Sequence, residues 1–460
     1  MTAPEFVTEV TVDDDGPDFI PRHPHLERTL VDVGAAPSGD TAVEFDIAVV
    51  GLGYVGLPTA LALHAAGRRV LGVDVSERRL AVISEQRADL MESDRERLTA
   101  ALGGTGFEMT GDTGRLSSAA AVIICVPTPV DHYLIPDLRI LESACATAVA
   151  AAVPGQVLLL TSTTYVGTTR DLLVAPLAAR GFTVGRDVFV AFSPERIDPG
   201  NDRGAHEDVP RVVGGVTPAC AEKAAAVLGS YARNVHVVPS PDAAEMTKLL
   251  ENTFRAVNIA LANEFAEICQ VLGMDVIEVI DAAATKPYGF MPFFPGPGVG
   301  GHCIPCDPQY LLWQLRRERL STPVIEQAMA AIAGRPHRVV SRIREALSQT
   351  GRGLADARVL VVGVAYKPDV EDLRESPALE VLEELITRDV TVGYHDPLFP
   401  SVTLAGGTTL IGVDDPVAFG ADIVLVHTAH RAADLSWLAD QPLVLDATYR
   451  LSDAPNRVVL

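Results

Sequence analysis

One loop holds the residues best suited to chemistry, residues 296–308, which read Gly-Pro-Gly-Val-Gly-Gly-His-Cys-Ile-Pro-Cys-Asp-Pro. Its glycines and prolines let the backbone approach a ligand closely and fix the place of the Cys303 thiol. A cysteine thiolate is a nucleophile that forms covalent intermediates with carbonyl carbon atoms. A carboxylate, Asp307, follows four residues later. The loop therefore predicts a thiol nucleophile placed against a bound substrate.

Two other interpretations of this loop have to be weighed. Cys303 and Cys306 form a C-x-x-C beside His302, a spacing that also occurs in zinc sites and redox disulfides. A structural zinc site would need two more ligands, and no strand runs directly into the motif as a thioredoxin-like pair requires. The remaining cysteines are scattered singly, at Cys125, Cys145, Cys220 and Cys269. We therefore expect no metal, and we interpret Cys306 as a packing residue.

Length and composition indicate a globular protein of more than one domain. A chain of 460 residues predicts two or three domains, and 48% hydrophobic with 21% charged residues is typical of a globular protein. Six cysteines give no disulfide framework, which favours a reducing cytoplasm. We find neither an apolar run of membrane-spanning length nor a signal-peptide pattern, so we expect no membrane partner.

The net charge of -23 argues against nucleic-acid binding, which depends on a basic surface that neutralises phosphates. Part of this charge lies at the start of the chain. Residues 1–46 hold eleven Asp or Glu against two Arg, with little periodicity. This composition predicts a flexible acidic tail over residues 1–43.

The first structured unit reads as a dinucleotide-binding turn. An apolar run at residues 45–50 precedes Gly51-Leu52-Gly53-Tyr54-Val55-Gly56, a helical stretch follows, and a second apolar run, residues 69–73, ends at Asp74. In such a unit the pyrophosphate lies on the helix N-terminus and the acid binds the ribose hydroxyls. Asp74 favours NAD over NADP, although Arg78 and Arg79 close by would suit a phosphate.

Further apolar runs each end at polar residues. Residues 119–126 are followed by Thr128, residues 157–161 by Thr163, and residues 189–192 by Glu195. Ligands of parallel sheets collect at the carboxyl ends of the strands, so these three residues are candidates for the site. Each of them taken singly could also be a helix cap or a turn residue.

A long helix without Gly or Pro is predicted over residues 243–272. It carries Lys248 and Asn252 one turn apart on the same face. These two side chains could point into a cleft as a cation and an amide, or they could belong to a solvated stripe. Such a helix between two α/β units is also a natural surface for a homodimer or a higher homo-oligomer.

The strand pattern then repeats without the three glycines, in strands at residues 357–362, 390–394 and 421–426. Lys367 and Arg374 in this second half would suit a diphosphate. The sequence thus predicts an α/β protein with two Rossmann-like doubly wound domains joined by a long central helix. The predicted domains are residues 44–240, which bind NAD, 241–335, which form the central helical region with the cysteine loop, and 336–460, which bind the nucleotide sugar.

Together these residues resemble the UDP-glucose/GDP-mannose dehydrogenase family over roughly residues 44–455. Six ordered motifs carry the resemblance: residues 51–58 (Gly-Leu-Gly-Tyr-Val-Gly-Leu-Pro), 126–129 (Val-Pro-Thr-Pro), 193–196 (Ser-Pro-Glu-Arg), Lys248 with Asn252, 300–303 (Gly-Gly-His-Cys), and 365–369 (Ala-Tyr-Lys-Pro-Asp) followed by 372–377 (Asp-Leu-Arg-Glu-Ser-Pro). The sequence around the thiol looks most like that of the branch of the family that oxidises UDP-N-acetylhexosamines. Within it, we expect UDP-N-acetylglucosamine first and its mannosamine epimer second.

The resemblance implies a two-step oxidation of the sugar C6 hydroxyl to a carboxylate with two NAD. It assigns catalysis to Cys303, Lys248, Asn252, Asp307, Glu195 and Thr163. It assigns cofactor contacts to Gly51, Gly53, Val55, Gly56, Asp74, Arg79, Thr128, Thr163 and Arg374. It assigns contacts with the UDP-sugar to Glu195, Arg196, Lys248, Asn252, Phe294, Gly298, Gly300, Lys367 and Arg450.

UDP-glucose is a further alternative, although two departures speak against it as the substrate. The glucose-oxidising branch has a second acid four residues after the equivalent of Glu195, where this chain has Pro199, and its C-terminal arginine follows an Asp more closely than Arg450 follows Asp446. Two other function classes remain as rivals. A non-catalytic dinucleotide sensor could dispense with Cys303, Lys248 and Asp307, and an epimerase or dehydratase would need a Tyr-x-x-x-Lys pair beside the first unit.

Overall fold

The computed structural model describes residues 43–196, 206–301, 303–451 and 455–460. The predicted acidic tail, apart from Val43, lies outside the described residues, as do Pro199 and His302.

The described chain alternates strands and helices in an α/β order. The strands are β1 Phe45–Val50, β2 Val70–Val73, β3 Phe107–Thr110, β4 Ala119–Ile124, β5 Val157–Leu160, β6 Phe189–Phe192, β7 Arg211–Gly215, β8 Val235–Val238, β9 Arg358–Val362, β10 Thr391–His395, β11 Ser401–Thr403, β12 Thr409–Ile411, β13 Ile423–Val426, β14 Val444–Asp446 and β15 Arg457–Val459. The helices are α1 Gly56–Ala65, α2 Glu77–Ser84, α3 Glu92–Gly103, α4 Arg139–Ala151, α5 Ala175–Ala179, α6 Pro218–Leu228, α7 Pro241–Leu272, α8 Val276–Ala284, α9 Asp307–Glu318, α10 Pro323–Ala333, α11 Arg335–Gln349 and α12 Pro377–Ile386.

The first domain is built on an eight-stranded sheet of order β3-β2-β1-β4-β5-β6-β7-β8. Neighbouring strands are parallel except β6 and β7, which pair antiparallel. Apolar clusters cover both faces of the sheet, one around Val49 and Leu159 and the other around Ala48 and Leu158. Strands buried on both faces read as continuous apolar runs, which explains why the sequence predicts β1, β4, β5 and β6.

The second domain is built on a parallel five-stranded sheet of order β10-β9-β13-β14-β15, with β11 and β12 as a separate antiparallel pair. Here too the two faces of the sheet lie in different apolar clusters, around Val361 and Leu360. The predicted fold class, two doubly wound domains joined by a long helix, is therefore confirmed.

The connecting helix α7 has 32 residues and is about 48 Å long at 1.5 Å per residue. It starts two residues before the predicted position, because the Ser240 hydroxyl accepts a hydrogen bond from the Ala243 N–H at 3.2 Å and Pro241 occupies the first turn. It ends at Gly273, whose φ of 71° closes the helix in the left-handed region. No helix within the described ranges is long and apolar enough to cross a membrane.

Candidate active site

The glycine turn after β1 needs two of its three glycines for packing and leaves the third exposed to a ligand. A Cβ on Gly51 would lie 2.3 Å from the Cys125 carbonyl oxygen, and one on Gly56 would lie 1.8 Å from the Gly51 oxygen. A Cβ on Gly53 would meet nothing within 4 Å. The turn is thus packed tightly against the end of β4 and open on the side where a pyrophosphate would lie.

Asp74, directly after β2, and Arg79, in α2, hold this turn in place. The Asp74 carboxylate accepts hydrogen bonds from the Leu52 N–H at 2.8 Å and the Ser76 N–H at 2.9 Å. The Arg79 Nε donates to the Leu52 oxygen at 2.7 Å. Arg79 is therefore occupied with the turn itself, and an acid stands where the ribose of a dinucleotide would lie. This arrangement fits NAD.

A cavity of about 340 Å³ opens above the turn and is lined by residues of both domains, namely Gly53, Tyr54, Arg79, Asp89, Glu371, Asp372 and Arg374. The Arg374 guanidinium lies 5.3 Å from the centre of the Tyr54 ring and pairs with Asp372 at 2.5 Å. The second domain therefore places one cation, Arg374, and two carboxylates, Glu371 and Asp372, beside the dinucleotide turn of the first.

The three strand-end candidates lie along one edge of the sheet. Thr128, Thr163 and Glu195 follow β4, β5 and β6, which are adjacent parallel strands. Tyr310 of α9 reaches the first of these loops, where its hydroxyl donates to the Thr128 oxygen at 3.2 Å. Gln314, one turn further along α9, donates to the Val166 oxygen at 2.8 Å. These contacts fix the start of α9, and with it the cysteine loop, over the strand ends.

Helix α7 presents its polar residues to the same edge. The Lys248 Nζ donates to the main-chain oxygen of Glu195 at 2.7 Å, and the Asn252 Nδ2 donates to Asp307. Lys248 is 6% exposed and Asn252 is 3% exposed, so the interpretation as a solvated stripe is wrong. One turn earlier, the buried Glu245 carboxylate accepts the N–H groups of Gly167 and Thr169 at 2.6 and 2.9 Å. The helix is thereby tied to the segment after β5.

Cys303 is exposed at the start of the turn that leads into α9. Its main-chain oxygen accepts a hydrogen bond from the Asp307 N–H at 2.8 Å, so thiol and carboxylate belong to one turn of backbone. Cys306 is 3% exposed, and burial raises the pKa of its thiol to about 12. Its burial agrees with a packing role. Among the described residues, no group of three or more His, Cys, Asp or Glu could hold a metal ion.

The glycines before the thiol pack against the second domain. A Cβ on Gly300 would lie 2.5 Å from the Tyr366 Cβ and 2.6 Å from the Glu375 oxygen, and one on Gly298 would lie 2.6 Å from the Pro377 side chain. The Gly301 N–H donates to the Arg374 oxygen at 2.9 Å. The cysteine loop and the segment 366–377, which carries Lys367 and Arg374, are therefore in direct contact.

Three other predicted residues lie at the margin of this assembly. Arg196 forms an ion pair with Glu251 of α7 at 2.6 Å. Phe294, two residues before the cysteine loop, is 39% exposed. Arg450 is exposed, and within the described ranges its side chain makes no hydrogen bond or ion pair.

Arg211, Glu245, Tyr310 and Gln314 are the site neighbours that the sequence patterns did not indicate. Arg211 is 2% exposed and pairs with Glu195. The sequence does contain a sign of Arg211, because this arginine directly precedes the short apolar run Val212-Val213 downstream of Glu195. Glu245, Tyr310 and Gln314 lie on helices, where a polar residue gives no sign of the loop that it contacts.

Asp307 is a buried carboxyl whose protonation should affect stability. It is 4% exposed, and burial raises its pKa to about 6, against the opposing effects of the Lys248 charge and the Asn252 hydrogen bond. Because this pKa lies above the reference value of 3.8, the folded state binds the proton more tightly than the unfolded chain. The resulting stabilisation is complete below about pH 4 and is lost as the pH rises through about 6.

We therefore expect the melting temperature of the unaltered protein, relative to that of Asp307→Asn, to fall by roughly 2–4 °C between pH 5 and pH 8. The reason is that only the unaltered protein has a buried carboxyl at position 307 that loses its proton over this range. Scanning calorimetry at both pH values measures the difference. The exposed Asp281→Asn is the matched control, and a difference between the two proteins that stays the same at both pH values would contradict the expectation.

Comparison with known proteins agrees with this geometry along nearly the whole described chain. Three family models match in order: the NAD binding domain of the UDP-glucose/GDP-mannose dehydrogenase family at residues 45–232, the central domain at 242–331 and the UDP binding domain at 360–452. The chain belongs to the UDP-glucose/GDP-mannose dehydrogenase family.

Relatives of this family resemble the chain in sequence and in structure. An NDP-N-acetyl-D-galactosaminuronic acid dehydrogenase of Ralstonia nicotianae is 33% identical over 406 residues, which is 85% of this chain and 93% of the relative. A UDP-N-acetyl-D-mannosamine dehydrogenase of Yersinia pestis is 36% identical over 73% of this chain and 81% of the relative. The solved UDP-D-ManNAc dehydrogenase of Pyrococcus horikoshii superposes with a TM-score of 0.81 at 30% identity and covers 90% of this chain and 98% of its own.

Membership of the UDP-glucose/GDP-mannose dehydrogenase family makes the protein an NAD-dependent nucleotide-sugar dehydrogenase, an oxidoreductase. The UDP binding domain indicates a UDP-sugar as substrate. The residues of the glycine turn, with Asp74 and Arg374, are those that would hold NAD.

Proposed function

We propose that the protein oxidises the C6 hydroxyl of a UDP-N-acetylhexosamine to the uronic acid in two steps, through a covalent adduct on Cys303. The observation that carries the proposal is the position of this exposed thiol. It lies on a loop between the two nucleotide-binding domains, in the same turn as Asp307, which is bonded to Asn252 one helical turn from Lys248. A dehydrogenase that stops at the aldehyde would not need the thiol.

In the first step the buried polar groups of α7 and α9 stabilise the reacting oxygen. Lys248 and Asn252 hold the C6 oxygen and stabilise the negative charge that develops on it. Asp307, whose pKa burial raises to about 6, is suited to take up a proton near neutral pH, directly or through a water. NAD, when bound, supplies the oxidising power by accepting one hydride in each of the two oxidations.

In the second step Cys303 keeps the intermediate on the protein. Its thiolate adds to the aldehyde carbon and gives a thiohemiacetal, and oxidation of this adduct gives a thioester. Water then adds to the thioester carbon, the carbon–sulfur bond breaks, and the thiol is regenerated, with Glu195 and Thr163 serving this hydrolysis. The balance is one alcohol, two NAD and one water consumed for one carboxylate, two NADH and three protons formed.

The second domain would hold the nucleotide of the substrate. We assign this role to Lys367 and to the loop from Phe294 to Gly300, because this loop packs directly on the segment that carries Lys367. Arg196 and Arg450 are further candidates from the sequence. A thiol nucleophile has to stay reduced, so we place the protein in the cytoplasm.

The proposed substrate is a class of sugars, the UDP-N-acetylhexosamines. The acetamido group is supported by the relatives, whose names refer to N-acetylmannosamine and N-acetylgalactosaminuronic acid. Our expectation from the sequence, UDP-N-acetylglucosamine, stays a prediction, and the mannosamine epimer is the alternative that the relatives favour.

The test is NADH formation at 340 nm with NAD and a panel of UDP-N-acetylglucosamine, UDP-N-acetylmannosamine, UDP-N-acetylgalactosamine, UDP-glucose and GDP-mannose. We expect two NADH for each UDP-N-acetylhexosamine consumed. Two NADH with a different sugar would leave the mechanism standing and overturn the substrate class, and one NADH with release of an aldehyde would overturn the covalent mechanism.

We also propose that α7 forms a homodimer interface. Its outward side exposes apolar residues at helical spacing, namely Met246, Leu250, Phe254, Leu261, Phe265, Ile268 and Leu272. Apolar stripes of this length on a soluble protein mark interaction surfaces. A second copy of the same helix would bury the stripe through a symmetric contact.

We expect the double variant Leu261→Glu, Phe265→Glu to shift the protein from dimer to monomer, because two charges would have to be buried at the interface. Light scattering after size-exclusion chromatography measures the mass. Val417→Glu, at a residue that is also about half exposed but lies in the second domain, is the control and should leave the mass unchanged. An unaltered protein that is already monomeric at micromolar concentration would refute the interface.

A further inference from the structure

Arg211 is the largest fully buried side chain of the described protein and lies beside the candidate site. It is the first residue of β7, and its Nη1 pairs with the Oε1 of Glu195. The carbon of its guanidinium lies 5.3 Å from the centre of the Tyr231 ring. Neither the sequence motifs nor the comparisons assign a role to it.

The pairing follows from the sheet. Strands β6 and β7 run antiparallel with Ala191 opposite Gly215 and Phe192 opposite Gly214. If this register is continued by three residues, Glu195 lies opposite Arg211. The carboxylate and the guanidinium therefore meet because two backbone segments bring them together, and little side-chain freedom has to be lost to form the pair.

Glu195 is fixed by its main chain as well as by its side chain. Lys248 binds its main-chain oxygen at 2.7 Å, and its own Oε1 accepts the Arg196 N–H at 2.7 Å. Arg211 adds a buried cation to this carboxylate. Among the described residues the other guanidinium nitrogens of Arg211, Nε and Nη2, have no hydrogen-bond partner, so the hydrogen bonding of the side chain is directed at Glu195.

A buried charge that loses its counter-charge is strongly destabilised, and the group responds by taking up a proton or by turning away. The Glu195 side chain is 13% exposed, so solvent would compensate little for the loss of Arg211. Burial raises the pKa of the nearby Cys125 thiol and Tyr231 hydroxyl, so neither offers a charge that could replace Arg211. The nearby cations Lys248 and Arg196 are directed elsewhere, to the main-chain oxygen of Glu195 and to the Glu251 carboxylate.

We infer that Arg211 is a positioning residue that keeps Glu195 ionised and aimed at the strand-end edge for release of the product from Cys303. The inference rests on the proposed function. In this step water attacks the thioester carbon, its proton passes to the Glu195 carboxylate, the carbon–sulfur bond breaks, and the thiolate leaves. The two oxidations that precede it do not require Glu195 as a base, so Arg211 acts on one stage of the cycle.

The test separates the stages by rapid-mixing kinetics with the best sugar of the panel. For Arg211→Gln we expect two NADH per site in the first turnover at nearly the unaltered rate. Steady-state turnover should fall by about 10- to 100-fold, since loss of a general base costs that order or more. Intact-protein mass spectrometry should then show an acyl adduct on Cys303. Arg211→Lys, which keeps the charge and protects folding, should show the same signature with a smaller loss.

Arg233→Gln is the matched control, because Arg233 also pairs with a carboxylate, that of Asp208, but is 71% exposed. It should leave both stages unchanged. If both Arg211 variants slow the burst and the steady state equally, the residue has only a structural role and the inference is overturned. Unchanged steady-state turnover of Arg211→Gln would also overturn it. A protein without NADH formation on any sugar would instead overturn the proposed function, and this inference with it.

Discussion

Cys303→Ala is expected to lower the formation of uronic acid by at least about 10³-fold, the order seen when a catalytic nucleophile is removed. Without the thiol no covalent adduct forms, so the aldehyde from the first oxidation has no route to a thioester. The ratio of NADH formed to sugar consumed should fall from two to one or below. Absorbance at 340 nm together with chromatography of the nucleotide sugars measures both quantities.

The control for this experiment lies three residues further along the chain. Cys306 is also a cysteine of the loop but is buried, and burial raises the pKa of its thiol to about 12. Cys306→Ala should therefore keep most of the turnover, at some cost in stability from the lost packing. A Cys303→Ala protein that still forms two NADH per sugar would show that the thiol is not the nucleophile.

Lys248→Met is expected to lower kcat by about 10²–10³-fold, which corresponds to the roughly 2.7–4 kcal/mol that one preorganised donor contributes to a developing oxyanion. The side chain is 6% exposed and its Nζ already donates to the Glu195 oxygen, so the ammonium is held in place before substrate binds. Because the charge on the C6 oxygen develops in the transition state, KM should change much less than kcat. Steady-state kinetics separates the two constants.

Lys286→Met removes an exposed lysine in the segment after α8, and it should leave kcat unchanged. The melting temperature of Lys248→Met has to be recorded as well, because the substitution removes the donor to Glu195. A loss confined to KM, or a loss in kcat below about threefold, would assign Lys248 to substrate binding alone.

Much of the fold could be predicted from the sequence because its sheets are buried on both faces. The run at residues 45–50 coincides with β1, and that at 189–192 with β6. Strand β8 has no buried residue and lies at the edge of the sheet, so no buried apolar run marks it. The antiparallel direction of β7 has no local signature, since it depends on which neighbour the strand pairs with.

The part of the candidate site that lies at the carboxyl ends of the parallel strands could be predicted from the sequence. Thr128, Thr163 and Glu195 lie on one edge because parallel strands order them there. The bond between Asn252 and Asp307 joins residues 55 positions apart, and no spacing rule reaches that far. Arg196, which is predicted to contact the substrate, also has an ion pair with Glu251, which its sequence neighbours could not reveal.

The close packing of Gly298 and Gly300 on the second domain bears on how such a protein can be recombined with its relatives. A side chain at position 300 would collide with Tyr366 and with the main chain of Glu375, and one at position 298 would collide with Pro377. A chimera that exchanges the second domain to acquire another sugar would therefore have to carry residues 296–308 and 366–377 over as a pair. A crossover between these two segments would disturb the thiol even if both domains folded.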